Sequence, residues 1–170
     1  MKIEDVDLNF LGHAGFVVRY KNKVFVIDPY HVSEAVPKAD IILITHSHSD
    51  HCSIKDIQKL SRKGTMVLCP VDCQSTLMKV KGVDVNIVEK DEVLDFGNFK
   101  IECLPAYTSN PRHSQNEGWL GYLLKFDKTI IYFAGDTDNI PEIKRLSGYG
   151  KKGNHFVAVL PVAGDVVMNA

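Results

Sequence analysis

The sequence predicts a mixed α/β domain layered as a sandwich, two sheets flanked by helices, and three features of the chain predict it. Ten short runs rich in Val, Ile, Leu and Phe carry the strand signature, segments with helical spacing lie between some of them, and one hairpin pattern occurs twice. A chain of 170 residues is expected to form a single domain over 1–170, burying roughly 70% of the surface its unfolded form exposes. With 45% hydrophobic and 24% charged residues the composition is that of a globular chain and excludes disorder.

The strand runs are residues 6–11, 16–20, 24–27, 41–44, 66–68, 85–88, 99–104, 120–126, 130–133 and 156–160. Ser53-Ile54-Lys55-Asp56 has the spacing of a capping box with Asp in place of Glu, and Ile54, Ile57 and Leu60 follow at three-residue intervals, which predicts a helix over 54–62. Further helices are predicted over 71–80 and 141–146, the second entered by Pro141, whose fixed φ suits a first helical turn. The segment from Gly15 to Asp28 resembles that from Gly121 to Asp136, each reading as a hairpin that ends in an aspartate. Two related halves follow, each a sheet that needs a covered face. The second half looks unfinished, because Asp136 is followed by one helix, one strand and the end of the sequence.

Charge and cysteine usage narrow the setting. Twenty Lys and Arg against 21 Asp and Glu leave a net charge of -1, so no global field draws the chain to nucleic acid or an anionic membrane. The acidic start Met1-Lys2-Ile3-Glu4-Asp5 lacks the basic and then apolar stretch of a secretory signal, no apolar run reaches bilayer length, and a cytoplasmic protein is expected. Cys52, Cys69, Cys73 and Cys103 are expected as reduced, buried thiols, since Cys69 and Cys73 are too far apart for a C-x-x-C motif. The basic stretch from Lys144 to Lys152 reads as a solvated face.

The chemistry concentrates in Thr45-His46-Ser47-His48-Ser49-Asp50-His51, which directly follows the apolar strand 41–44. Imidazole and carboxylate donors at this density suit Zn²⁺, with Mn²⁺ or Fe as alternatives, and a loop at a strand's C-terminal mouth turns alternate side chains toward one point.

This segment matches the H-x-H-x-D-H signature of the metallo-β-lactamase-fold hydrolases, and the chain resembles that superfamily along essentially its whole length. Gly12-His13-Ala14-Gly15-Phe16, Ile27-Asp28-Pro29, Asp50-His51-Cys52-Ser53, Pro105-Ala106-Tyr107 and Gly135-Asp136-Thr137-Asp138 are similar to its short, lactonase-like prokaryotic branch. The resemblance implies an αββα sandwich of two mixed sheets with the metal site at one edge. It implies a first metal site of His46, His48 and a third histidine, a second with Asp50 and His51, and Asp136 bridging the two. His113, the only histidine between Cys103 and Gly118, takes the third place. His13 is expected near the site as a structural histidine or one beside the ligands, and Asp28 as a group that orients a ligand histidine through its ring N–H or caps a strand end, while His31 and His155 carry no motif. Members of this branch usually continue into a further helix, strand and final ligand histidine, so a site 2 with one ligand fewer, and a homo-oligomer covering the C-terminal edge, are expected.

Hydrolysis through a hydroxide held by one or two cations follows from that resemblance, with Asp136 bridging and Asp50 orienting the water or carrying its proton. The commonest β-lactamases would have Cys at 136, a glyoxalase-like thioesterase would have Gly-Gly where Cys52-Ser53 stands, and a flavodiiron protein would have Glu at 48. A small phosphoester, phosphodiester or lactone remains as substrate. The alternative is a metal-binding but catalytically weak or inactive subunit or remnant of the same fold; nucleic-acid processing ranks last, for want of a basic exosite or appended domain.

Overall fold

The computed structural model describes residues 1–151, 153–162 and 166–168, and the chain divides into two compact units, Met1–Val88 and Glu89–Ala170, each organised on one sheet. The first sheet has seven strands in sequence order: β1 (Lys2–Ile3), β2 (Val6–Gly12), β3 (Gly15–Tyr20), β4 (Lys23–Ile27), β5 (Ile41–Leu43), β6 (Thr65–Cys69) and β7 (Val83–Ile87). The pairings from β1 to β4 are antiparallel and those from β4 to β7 parallel. Parallel strands need crossovers. The loop over residues 28–40 supplies the one from β4 to β5, and helices α1 (Ile54–Leu60) and α2 (Gln74–Leu77) lie in the next two, placing Ile57, Leu60 and Leu77 against Val17, Val26, Ile42, Ile44 and Val67 on one face of the sheet. Ile41, Ile42 and Leu43 are all buried, as expected where a central parallel strand reads as an unbroken apolar run.

Two predicted helices are shorter than their patterns suggest. Helix α1 stops at Leu60 because Ser61 is extended (φ -79°, ψ 152°) and turns its hydroxyl back to the Ile57 carbonyl at 2.6 Å. The segment 71–80 divides into a 3₁₀ turn, Val71–Cys73, and the single turn of α2; neither start has a side-chain cap, and Val71 and Met78 face solvent. The Ser53 hydroxyl does accept from the Asp56 N–H, at 3.4 Å. The return half of the capping box differs. Asp56, one methylene shorter than Glu, accepts instead from the Ser53 hydroxyl at 2.6 Å and from the N–H groups of His31 and Val32 at 3.0 Å each, and so fastens the loop after β4 to the start of α1.

The second sheet contains β8 (Val93–Asp95), β9 (Lys100–Pro105), β10 (Leu120–Lys125), β11 (Thr129–Phe133) and β12 (His155–Val159), in the order β12-β11-β10-β9-β8. Only β11–β12 is parallel, and its crossover is a 3₁₀ helix, Pro141–Leu146, where a helix is predicted. Leu146 packs with Leu104, Leu123, Ile130 and Tyr132. Strands β1 and β8 escape the sequence patterns because two and three residues are too few to show a period. Within the basic stretch, Arg145 is tied to Asp91 and lies 3.8 Å from Glu102, while Lys152 lies outside the described residues. So do Ala163, Gly164, Asp165, Asn169 and Ala170 of the final segment, where a truncated second half is expected.

The repeated hairpins are β3–β4 and β10–β11, each followed by a strand parallel to its second member. Their registers correct the alignment of the aspartates. Phe16 opposes Ile27 and Tyr122 opposes Phe133, so the counterpart of Asp28 is Ala134, and Asp136 lies beyond it on the exit turn. Both hairpins open on glycine for one reason: a Cβ at Gly15 would lie 3.2 Å from the Asp28 carbonyl oxygen, and one at Gly121 would lie 2.9 Å from the Ala134 carbonyl oxygen.

Candidate metal centre

In the first unit the parallel register brings two functional segments together. Ile27 pairs with Leu43, so the residues leaving β4 and β5 are neighbours, and the Asp28 N–H donates to the Leu43 carbonyl at 3.0 Å. Asp28 takes a left-handed φ of 41° and is 1% exposed. Its Oδ1 accepts from the Thr45 N–H at 2.8 Å, and its Oδ2 accepts from the Thr45 hydroxyl at 2.6 Å and from His51 Nδ1 at 2.8 Å. His51 reaches back because the loop turns tightly: the N–H groups of His51 and Cys52 both donate to the His48 carbonyl, at 2.9 and 2.7 Å.

These bonds decide where the ring protons sit. A carboxylate only accepts, so His51 carries a proton on Nδ1, and in its neutral form the lone pair lies on Nε2. The Thr45 hydroxyl gives its one proton to Asp28, so at 2.9 Å from His46 Nδ1 it accepts, and His46 is likewise left with a lone pair on Nε2. His46 Nε2 faces His48 Nδ1 at 3.1 Å. Two nitrogens on one tetrahedral zinc are about 3.3 Å apart. The His46–His48 nitrogen pair therefore fits a divalent cation in spacing, and the neutral His46 and His51 rings fit one in tautomer.

Asp50 lies on the open side of the loop, its Oδ2 at 2.8 Å from His13 Nε2 and 3.8 Å from His51 Nε2. Burial works to raise its carboxyl, but the neighbouring His51, the His13 hydrogen bond and its own backbone N–H outweigh it and hold the group below its ordinary value of 3.8. One donor atom from each of His13, Asp50 and His51 lies within 4.8 Å of the others.

In the second unit, His113 and Asp136 come together, His113 Nε2 lying 3.1 Å from Asp136 Oδ2. The loop after β9 is shaped by Asn110, whose side chain caps the 3₁₀ turn Pro111–His113, and by the Thr108 N–H, which donates to the His113 carbonyl at 2.8 Å. The buried His113 ring meets Trp119 edge to face, centroids 5.4 Å apart. Asp138 ties this loop to the exit of β11, accepting from the Ser109 N–H at 2.8 Å while its own N–H donates to the Tyr107 carbonyl at 2.9 Å. Thus His46, His48, Asp50 and His51 are gathered in one unit, and His113 and Asp136 in the other.

A Beta-lactamase superfamily domain matches residues 9–152. The chain belongs to this superfamily. Within it the chain belongs with the UPF0173 metal-dependent hydrolases: that of Thermococcus kodakarensis is 31% identical over 177 residues, a match covering 96% of this chain and 75% of the relative. A Parabacteroides distasonis protein assigned to the metal-dependent hydrolases has a crystal structure that superposes with a TM-score of 0.84 at 30% identity, covering 96% of this chain and 73% of that one. The Ignicoccus hospitalis metallo hydrolase Igni18 shares the fold, with a TM-score of 0.73, 24% identity and coverage of 96% and 73%. The α/β layered class and the metallo-β-lactamase fold expected from the sequence are those observed.

Of the two expectations for Asp28, the structure places it against a histidine ring, that of His51. Thr45 is the residue that sequence reasoning missed; the available signal was a hydroxyl immediately before the first histidine of the motif. Cys52, despite following His51, packs in the core with Cys69 and Cys73, and all four cysteines are free and buried. Burial, then Glu92 and Glu102, push the Cys103 thiol up to about 12, which removes it as a nucleophile. His31 and His155 are exposed. Among the described residues no helix is long and apolar enough to cross a membrane.

Proposed function

We propose that this superfamily member hydrolyses a small phosphoester, phosphodiester or lactone, with His46, His48 and His113 holding one cation, Asp50 and His51 a second, and Asp136 both. Zinc suits this nitrogen-rich set, and manganese or iron could stand in its place. The observation that carries the reading is the pair of imidazoles, His46 and His51, whose Nδ1 atoms are held by Thr45 and Asp28, so that each neutral ring would present its Nε2 to a cation. When bound, divalent cations supply Lewis-acid activation of a water and of the substrate's carbonyl or phosphoryl oxygen.

The chain's own residues do the rest. Asp28 and Thr45 keep the ligand rings in one tautomer and one orientation through substrate exchange. Asp50, ionised at neutral pH, orients the attacking water by accepting its proton in a hydrogen bond. The buried thiols take no part, which supports attack by water without a covalent enzyme intermediate.

The test is metal content per purified chain together with hydrolysis of an aryl phosphodiester and of a simple lactone. Near two cations per chain, with turnover that His48→Ala abolishes, is the expected result. One cation or none, without turnover after reloading with zinc, manganese or iron, would refute it in favour of a catalytically weak metal-binding protein.

A further inference from the structure

The geometry points to His13 as a positioning residue that holds Asp50 in the rotamer needed by the second cation; this rests on the dinuclear reading above. His13 stands in the turn between β2 and β3, between Gly12 and Ala14, at a left-handed φ of 53°. That conformation is uncommon for a residue with a side chain. The turn gains no buried side chain in return, because the His13 side chain is 47% exposed. What the conformation achieves is aim: His13 Nε2 lies 2.8 Å from Asp50 Oδ2. The ring is steadied on two sides, by Tyr30 with centroids 5.4 Å apart and by His51 at 5.6 Å.

Asp50 needs such a partner. Its side chain is 39% exposed, and the other ring near its Oδ2, His51 Nε2, is 3.8 Å away, beyond hydrogen-bonding reach. An ionised carboxylate only accepts, so the proton of the His13 contact sits on Nε2, and the bond engages Oδ2 and leaves Oδ1 for a cation. The arrangement repeats a theme of the centre. Asp28 holds His51, Thr45 holds His46, and His13 holds Asp50, each from a segment outside the His46 to His51 loop or at its edge.

Two substitutions separate aim from backbone. His13→Asn keeps the tolerance for a left-handed φ but has an amide too short to reach Asp50, whereas His13→Gln carries an amide nitrogen at nearly the reach of Nε2. Cobalt(II) is titrated into each metal-stripped protein against a chromophoric chelator, with the visible d–d spectrum recorded at one and two equivalents. The second equivalent should bind about 10- to 100-fold more weakly to His13→Asn, with the first unchanged. In His13→Gln both equivalents should bind close to the wild-type strength. Equal binding of the second equivalent by His13→Asn and wild type overturns the inference. Equal loss in both variants overturns it too, since the ring would then be a ligand itself, and failure of His13→Asn to fold would assign the residue to the turn instead. A wild-type chain that takes up fewer than two cations overturns the dinuclear reading and this one together, an outcome visible before any variant is compared.

Discussion

Replacing Asp28 by asparagine changes one oxygen to an NH₂ and almost nothing else. The position has a φ of 41°, a left-handed value that asparagine tolerates as aspartate does. The Thr45 N–H, 2.8 Å from Oδ1, requires an acceptor and fixes which way the amide faces. The amide nitrogen then points at the Thr45 hydroxyl and at His51 Nδ1, which stand 2.6 and 2.8 Å from Oδ2 in the native protein. Donor meets donor. The cheapest escape is for His51 to move its proton from Nδ1 to Nε2, and for Thr45 to turn its own proton toward His46 Nδ1, which moves the His46 proton to Nε2 as well. Both ligand lone pairs would be lost at once. Loss of one such orienting partner lowers metal affinity about 10- to 100-fold, or roughly 1.4 to 2.7 kcal/mol per cation. The exchange of three charge-assisted bonds for neutral ones in a site that is 1% exposed should also lower folding stability by about 2 to 4 kcal/mol. Metal titration by chelator competition measures the first, thermal unfolding of the metal-free protein the second, and long-range ¹H–¹⁵N spectra of the imidazoles report the tautomers. Asp28→Asn protein that binds metal at wild-type strength, with His51 still protonated on Nδ1, would refute the assignment of the orienting role to Asp28.

Three further outcomes are expected. Gly121→Ala places a methyl 2.9 Å from the carbonyl oxygens of Ala134 and Phe133, and should cost about 1 to 3 kcal/mol, whereas Gly15→Ala, with its nearest atoms at 3.2 Å, should cost less; parallel thermal melts decide the order. Burial works to raise the Asp56 carboxyl, but hydrogen bonds from Ser53 and the Val32 and His31 N–H groups, with the Lys59 charge, outweigh it and hold it below 3.8. A folded value below the unfolded one adds stability above the unfolded value and loses it as pH falls through the folded value, so the stability gap between wild type and Asp56→Asn should narrow below about pH 4 in urea unfolding curves. Zinc at about 100 times its dissociation constant should raise the stability of the metal-stripped chain by about 2.7 kcal/mol, and a scan with and without chelator that shows no displacement of the midpoint would contradict a built metal centre.

Much of this was legible in the residues because strand formation here depends on unbroken apolar runs, which need no long-range information: the run at 41–44 is β5 to within one residue. The donor-rich loop was legible for a different reason, since four ligand-type side chains within His46 to His51 leave few other uses. What escaped was whatever depends on register. Thr45 acts only because β4 and β5 are parallel and in step, so that a hydroxyl on one exit meets a carboxylate on the other. A linear pattern contains no such step. The helix over 71–80 was overread because periodicity says where apolar residues could face a core, and not whether a cap exists to satisfy the free N–H groups of the first turn.

The two hairpins show how one backbone frame came to carry two roles. In each, the residue after the second strand donates its N–H to the parallel neighbour, Asp28 to the Leu43 carbonyl and Ala134 to the Val159 carbonyl, both at 3.0 Å. The frame is the same to that point. In the first unit the side chain there is a carboxylate, and the following turn on the neighbouring strand offers Thr45 and the histidine loop for it to orient. In the second the equivalent side chain is a methyl, 1% exposed, which orients nothing, and the carboxylate has moved to Asp136 on the exit turn, where it is 23% exposed and meets His113. The buried acid accepts from three N–H and O–H donors, whereas the acid on the exit turn is partly exposed beside His113. Alignment by residue type equates the two aspartates; alignment by hydrogen bond separates them, one held against Thr45 and His51 inside its unit and the other on an exit turn beside His113.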